Sequence, residues 1–216
     1  MAETSEIRPT PHWLVAVTAW GLLTSATTFA QEEHFDAESG ELAVAVVEQL
    51  KRALVQAAEL SDIHARFDFL RVVVTSTHDL DFIGQLTVRR QWREWTQEQR
   101  AAFLAAFRSL SIMNYAARFA NVSATTFDIL GPQSAGNGRI EVKTTLARAD
   151  GTSVPLDFVL QAADGSWRIA NVIADGVSDL ALKRAEYQTM LNESDVDGLV
   201  SELEAQTRAL AQAGGE

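Results

Sequence analysis

The sequence predicts an α+β fold in which a twisted four-stranded antiparallel meander is covered on one face by helices, and three observations predict it. Ile140, Val142, Thr144 and Leu146 alternate with Arg139, Glu141, Lys143 and Thr145, and Val154, Leu156, Phe158 and Leu160 alternate with Pro155, Asp157, Val159 and Gln161. Successive strand side chains point to opposite faces, so each run has one apolar and one mostly polar face, as in an antiparallel sheet covered on one side. Two Asp-Gly pairs, Asp150-Gly151 and Asp164-Gly165, supply the left-handed dihedrals of tight hairpin turns between β-rich runs. On both sides of this block, apolar residues recur every three to four positions, as amphipathic helices require.

Taken in order, the first segment stands apart. Trp13–Ala26 (WLVAVTAWGLLTSA) is apolar but too short to span a bilayer, and Thr28-Phe29-Ala30 offers a cleavage site after it. Residues 1–30 read as a signal peptide, with an uncleaved anchor as the alternative because Glu3 and Glu6 offset Arg8. Residues 31–40 read as a flexible N-terminal segment, 41–212 as a single domain and 213–216 as a disordered tail.

Within the domain, Leu42, Val46, Leu50, Leu54 and Ala57 share one face of a helix over 41–60. Ser61-Asp62 restarts the chain into a second helix that carries Phe67, Leu70, Val73 and Val74 and ends near Thr77. His78-Asp79-Leu80-Asp81 reads as a solvated turn into a third helix, 82–88. Thr96 and Gln99 form a capping box, each side chain placed to bond the other's backbone N–H, so a long helix starts there and runs to Asn121. Its apolar face holds Phe103, Phe107, Leu110, Tyr115 and Phe119, a stripe that first of all packs a core. Strands are expected over 125–130, 139–148, 154–161 and 167–174. The stretch Gly131–Gly138 (GPQSAGNG) reads as a turn; no Lys follows to make it a phosphate cradle. The sheet ends at Ala174, where Gly176 allows a sharp exit and Asp175 or Ser178 caps a helix over 179–192. Ser194-Asp195 caps a last helix carrying Leu199, Leu203 and Leu210.

Composition removes several function classes. The formal net charge of -11 leaves no diffuse basic surface for nucleic-acid phosphates or anionic lipid headgroups. With no cysteine, disulfides, thiolate metal sites and a Cys nucleophile are all excluded. No nucleophile elbow, zinc helix, phosphate loop or dinucleotide fingerprint occurs, and the four histidines, at 12, 34, 64 and 78, are dispersed. One dense basic-aromatic patch, RRQWREW, holds Arg89, Arg90, Trp92, Arg93 and Trp95. It serves either as a solvated helix end whose tryptophans close the core or as the rim of an apolar pocket where guanidinium groups meet a phosphate. An enzymatic alternative sets Asp157 or Asp175 as general base beside Tyr115 or Tyr187, although alternation puts Asp157 on the polar face of its strand.

Five segments in order, QLTVRRQW (85–92), TQEQRAAF (96–103) with Phe107, Tyr115-Ala116, IADGVS (173–178) with Arg184 and Tyr187, and Asp197-Gly198-Leu199, resemble the MlaC family of periplasmic lipid carriers. The stretches 178–187 and 115–119 are similar to its hopanoid-associated branch, HpnM. The resemblance covers residues 41 to 210 and implies an NTF2-like, helix-covered sheet enclosing a deep apolar cavity for acyl chains, with the headgroup at its mouth. It implies a non-enzymatic, cofactor-free monomer that carries phospholipid, or alternatively hopanoid, between an outer-membrane lipoprotein complex and an inner-membrane ABC-type lipid transporter. The residues expected to line the cavity are Phe67, Leu70, Leu86, Phe103, Phe107, Phe119, Ile140, Val142, Leu146, Leu156, Phe158 and Leu160. Arg90, Trp92, Arg93, Arg184 and Tyr187 are expected at its mouth.

Overall fold

The structure, a computed structural model, describes residues 36–120, 122, 126–147 and 151–214. The expected signal peptide lies outside them. Four helices come first: α1 (Ala37–Ala58), α2 (Ile63–Thr77), α3 (Leu80–Val88) and, after one 3-10 turn at Gln91–Arg93, α4 (Gln97–Arg118). The sheet follows as β1 (Phe127–Ser134), β2 (Ile140–Ala147), β3 (Ser153–Ala163), β4 (Ser166–Ala174) and β5 (Val177–Ser178), and the chain closes with α5 (Asp179–Glu193) and α6 (Val196–Ala213). All neighbouring strands are antiparallel, in the order β1-β2-β3-β4-β5.

Side-chain caps set the helix starts. Asp36, Asp62, Asp79, Ser178 and Asp195 each accept a backbone N–H of their own first turn. The capping box of α4 is present in full: Gln99 N donates to Thr96 Oγ1 at 3.2 Å and Thr96 N to Gln99 Oε1 at 3.0 Å.

The sheet departs from expectation at both ends. At Asp175-Gly176 both residues take left-handed φ, 52° and 78°, the same turn chemistry as Asp164-Gly165 at 49° and 75°. The chain therefore does not leave the sheet at Ala174 but folds back, pairing Ala174 with Val177 as a short fifth strand. At the other edge β1 runs on through Gly131 and Pro132 to Ser134, because a bulge between Ile129 and Gly131 absorbs one residue and keeps the pairing with β2. Pro132, which has no N–H to give, sits on an edge strand.

The covering helices take two roles. Helix α1 packs directly on β1, β2 and β4, and Val47, Leu50 and Leu54 are buried together with Ile140, Val142 and Leu160. Helix α4 packs against α2, α3 and α6 and stands across a cavity from β2, β3 and β4. Close contact with α3 occurs at Gly84, where a Cβ would lie 2.9 Å from Leu104 Cδ2 and 3.3 Å from Phe107 Cδ1. A side chain there would force the end of the Leu104 side chain to move.

Candidate functional site

The gap between α4 and the sheet is a cavity of about 310 Å³, at the small end of the range for ligand pockets. Leu146, Val154, Leu156, Phe158 and Val172 form its apolar sheet wall. The opposite wall is a single stripe of α4: Phe107, Ser111, Asn114, Tyr115 and Arg118 line the cavity, at spacings that keep them on one helical face. Polarity rises along that stripe, from fully buried Phe107 to exposed Arg118 in the last turn. Exposed Pro155, Ala174 and Asp175 from the sheet join Arg118 at the rim, and the first turn of α5 adds Asp179, Leu180 and Lys183.

Besides Ser111, Asn114 and Asn171, which also line the cavity, a buried polar chain reaches its inner wall. His78 is 3% exposed, with Nδ1 2.9 Å from Thr77 Oγ1 and Nε2 2.8 Å from the Tyr115 hydroxyl. Thr77 Oγ1 also lies 2.8 Å from the Val73 carbonyl, which can only accept, so the hydroxyl proton goes there. His78 Nδ1–H then donates to Thr77 and its Nε2 accepts the Tyr115 O–H. Burial holds the imidazole neutral, with a pKa lowered to about 4, and pushes the Tyr115 phenol up, with the Asp179 carboxylate adding to the shift.

A pH dependence of stability follows. Between pH 4 and an unfolded-state value near 6.5 the unfolded chain binds a proton on His78 that the folded chain does not, so stability falls as pH drops through this window and is flat in this term above it. Thermal melts of the wild type and His78→Gln from pH 7.5 to 4.5 should show a shallower decline in the variant. Parallel curves would remove this assignment.

With fold and cavity in place, comparison with known proteins decides the family. Residues 44–205 match the family described as MlaC protein. The chain belongs to the MlaC family. It is 24% identical over 145 residues to the intermembrane phospholipid transport system binding protein MlaC of Haemophilus influenzae, a match spanning 63% of this chain and 68% of that one. A phospholipid-binding protein from Ralstonia solanacearum, solved in complex with a phospholipid, superposes with a TM-score of 0.68 at 19% identity, over 80% of this chain and 98% of that one. That likeness shows a shared fold.

Within this MlaC fold, the expected lining residues divide. Phe107, Phe119, Leu146, Leu156 and Phe158 face the cavity. Ile140, Val142 and Leu160 are instead buried within the core, on a sheet that also carries α1. Leu70 is buried on α2 with Phe67 half-buried against the core. Phe103 is enclosed by aromatic rings, 5.2 Å from Trp95, 6.5 Å from Trp92, 5.9 Å from Phe107 and 6.2 Å from Tyr187. Leu86 is half-buried and does not line the cavity.

None of the five expected mouth residues lines the cavity. Arg90 and Arg93 are exposed just ahead of α4, whereas the rim lies at its C-terminal end. A helix of 22 residues separates those ends by about 33 Å at 1.5 Å per residue. Trp92 packs on Phe103 under the Arg100 guanidinium, 5.3 Å from the ring centre. Arg184 donates to the Leu86 carbonyl at 3.2 Å. Tyr187 is 1% exposed, its hydroxyl without a partner among the described residues and its pKa raised by burial.

The turn residues are engaged rather than solvated. Besides buried His78, Asp79 caps α3 and Asp81 takes two hydrogen bonds from Arg108 at 2.7 and 2.6 Å. No cluster of three or more metal-ligating side chains occurs among the described residues. Asp157 is buried, 4% exposed, despite its position on the outer face, because its carboxylate accepts from Lys143 Nζ and from Thr144 N at 3.1 Å. Its partners are a lysine and a backbone amide, not a tyrosine.

Proposed function

We propose that the chain is a soluble periplasmic carrier that holds the acyl portion of a phospholipid between α4 and β2–β4 and leaves the headgroup at the rim. The observation that supports this is the cavity itself: an apolar sheet wall faces a helix stripe that grades from Phe107 to Arg118. Burying a methylene is worth about 0.8 kcal/mol relative to water, so chain burial supplies holding energy while costing little against a bilayer. That balance suits exchange with membranes.

Membership of the MlaC family extends the reading to a route between an outer-membrane lipoprotein complex and an inner-membrane ABC-type transporter. On this reading residues 1–30 direct export and residues 41–212 form the carrier. No catalytic step is assigned, since Asp157 is committed to Lys143 and Thr144, and Tyr115 to His78. With a net charge of -11, adsorption to anionic membrane is discouraged and delivery depends on docking to a protein partner.

Extraction of the purified mature protein with organic solvent, followed by mass spectrometry, tests the proposal. Phospholipid close to one per chain is the expected result. A reproducible absence of lipid overturns carriage, and a fused-ring lipid in its place overturns the cargo.

A further inference from the structure

We infer that the cavity rim selects a zwitterionic headgroup, with Arg118 taking the phosphate and Asp175 the ammonium. The inference rests on the phospholipid-carrier reading above. The rim carries two cations, Arg118 and Lys183, and two carboxylates, Asp175 and Asp179. Lys183 Nζ and Asp179 Oδ1 are 2.6 Å apart, one helical turn from each other, and neutralise one another. Neither Arg118 nor Asp175 has an ion pair or side-chain hydrogen bond among the described residues.

These two charges stand on opposite walls. Arg118 ends the α4 stripe, where a cation is favoured by the carbonyl end of the helix. Asp175 belongs to the sheet wall, fixed by its backbone N–H to the Pro155 carbonyl at 2.9 Å and by the β4–β5 turn. Acyl chains entering between the walls bring the headgroup between one free cation and one free anion.

Every glycerophospholipid offers a phosphate to the guanidinium, which binds it through paired hydrogen bonds. Hydroxyl-bearing headgroups can hydrogen-bond Asp175, but only headgroups that also carry a cation neutralise it. An anionic headgroup leaves that carboxylate facing a negative ligand, in a chain that already carries a net charge of -11.

The test is a competition. Lipid-stripped mature protein is incubated with vesicles containing equal amounts of phosphatidylethanolamine and phosphatidylglycerol of identical acyl composition, re-isolated, and its bound lipid quantified by mass spectrometry. Phosphatidylethanolamine should be enriched about fivefold, the scale of one solvent-accessible charge pair. In Asp175→Asn the ratio should fall towards one, because Asn tolerates the left-handed backbone and still accepts a glycerol hydroxyl but has lost the charge. Arg118→Gln should lower the uptake of both lipids while preserving their ratio. Equal uptake by the wild type, or an unchanged ratio in Asp175→Asn, overturns the headgroup assignment and leaves carriage standing. Uptake of neither lipid overturns carriage, and this inference with it.

Discussion

Replacing Arg66 with methionine should destabilise the fold by about 3 kcal/mol, which lowers the melting temperature by about 6–12 °C for a domain of this size. Arg66 is 6% exposed and its guanidinium serves three backbone carbonyls: Ala116 at 2.9 Å, Leu60 at 2.8 Å and Ser61 at 3.1 Å. Ala116 lies in the last turn of α4, where carbonyls have no partner within the helix. Leu60 and Ser61 form the link between α1 and α2, so one side chain ties the end of α4 to that link. Methionine keeps the volume but leaves these acceptors without their donor. Arg66→Lys should fall between the two, since a single ammonium cannot span the positions that the planar fork reaches. Denaturant or thermal unfolding measures both variants, and a Met variant within 0.5 kcal/mol of wild type would show that water replaces the guanidinium at little cost (a typical surface-substitution effect being about that size).

The legible parts of the fold are those written locally. The capping box at Thr96 and Gln99 fixes the start of α4 through residues three apart, and the alternation around Ile140 and Phe158 fixes which faces of β2 and β3 turn inward. Asp164-Gly165 gives its hairpin for the same reason. Asp175-Gly176 carries an identical dipeptide, and β5 was readable there by the rule that locates the turn before it. What local pattern does not contain is which apolar residues meet a partner and which meet a gap. Phe103 and Phe107 lie four residues apart on one face of α4, yet rings enclose the first and the second reaches the cavity. Arg66 looks like any charge on a helix until the α1–α2 link and the end of α4 converge on it.

The position of the mouth was hidden for a related reason. Local density of Arg and Trp points to RRQWREW, but its tryptophans pack on Phe103 at the N-terminal end of α4 and its arginines stay exposed there. Arg118 has no basic neighbour in sequence to draw attention to it. Its signal is subtler: Ser111 and Asn114 interrupt the aromatic stripe at helical spacing, and polar residues on a buried face need either partners or a wet opening. Following that stripe from Phe107 leads to Arg118.

Ser111 also offers the most direct test of the cavity as the cargo site, and Ser111→Trp should lower lipid affinity by more than about tenfold. Ser111 is half-buried on the cavity side of α4, about one turn from Phe107 and two from Arg118. An indole there projects into space that is already open, so it need not displace packed atoms, and Trp and Ser have similar helix propensities. Stability should therefore stay within about 1 kcal/mol of wild type, less than the usual cost of overfilling a packed core. Affinity responds differently, because excluding as few as two methylenes from the cavity forfeits about 1.6 kcal/mol, a factor of more than ten. Ser111→Ala, which leaves the space open, should take up lipid like the wild type. Lipid uptake from vesicles and a thermal melt on the same preparations separate the two effects. Normal uptake by a stably folded Ser111→Trp protein would show that acyl chains occupy some other part of the molecule, whereas lost uptake with an unchanged melt places them between α4 and the sheet.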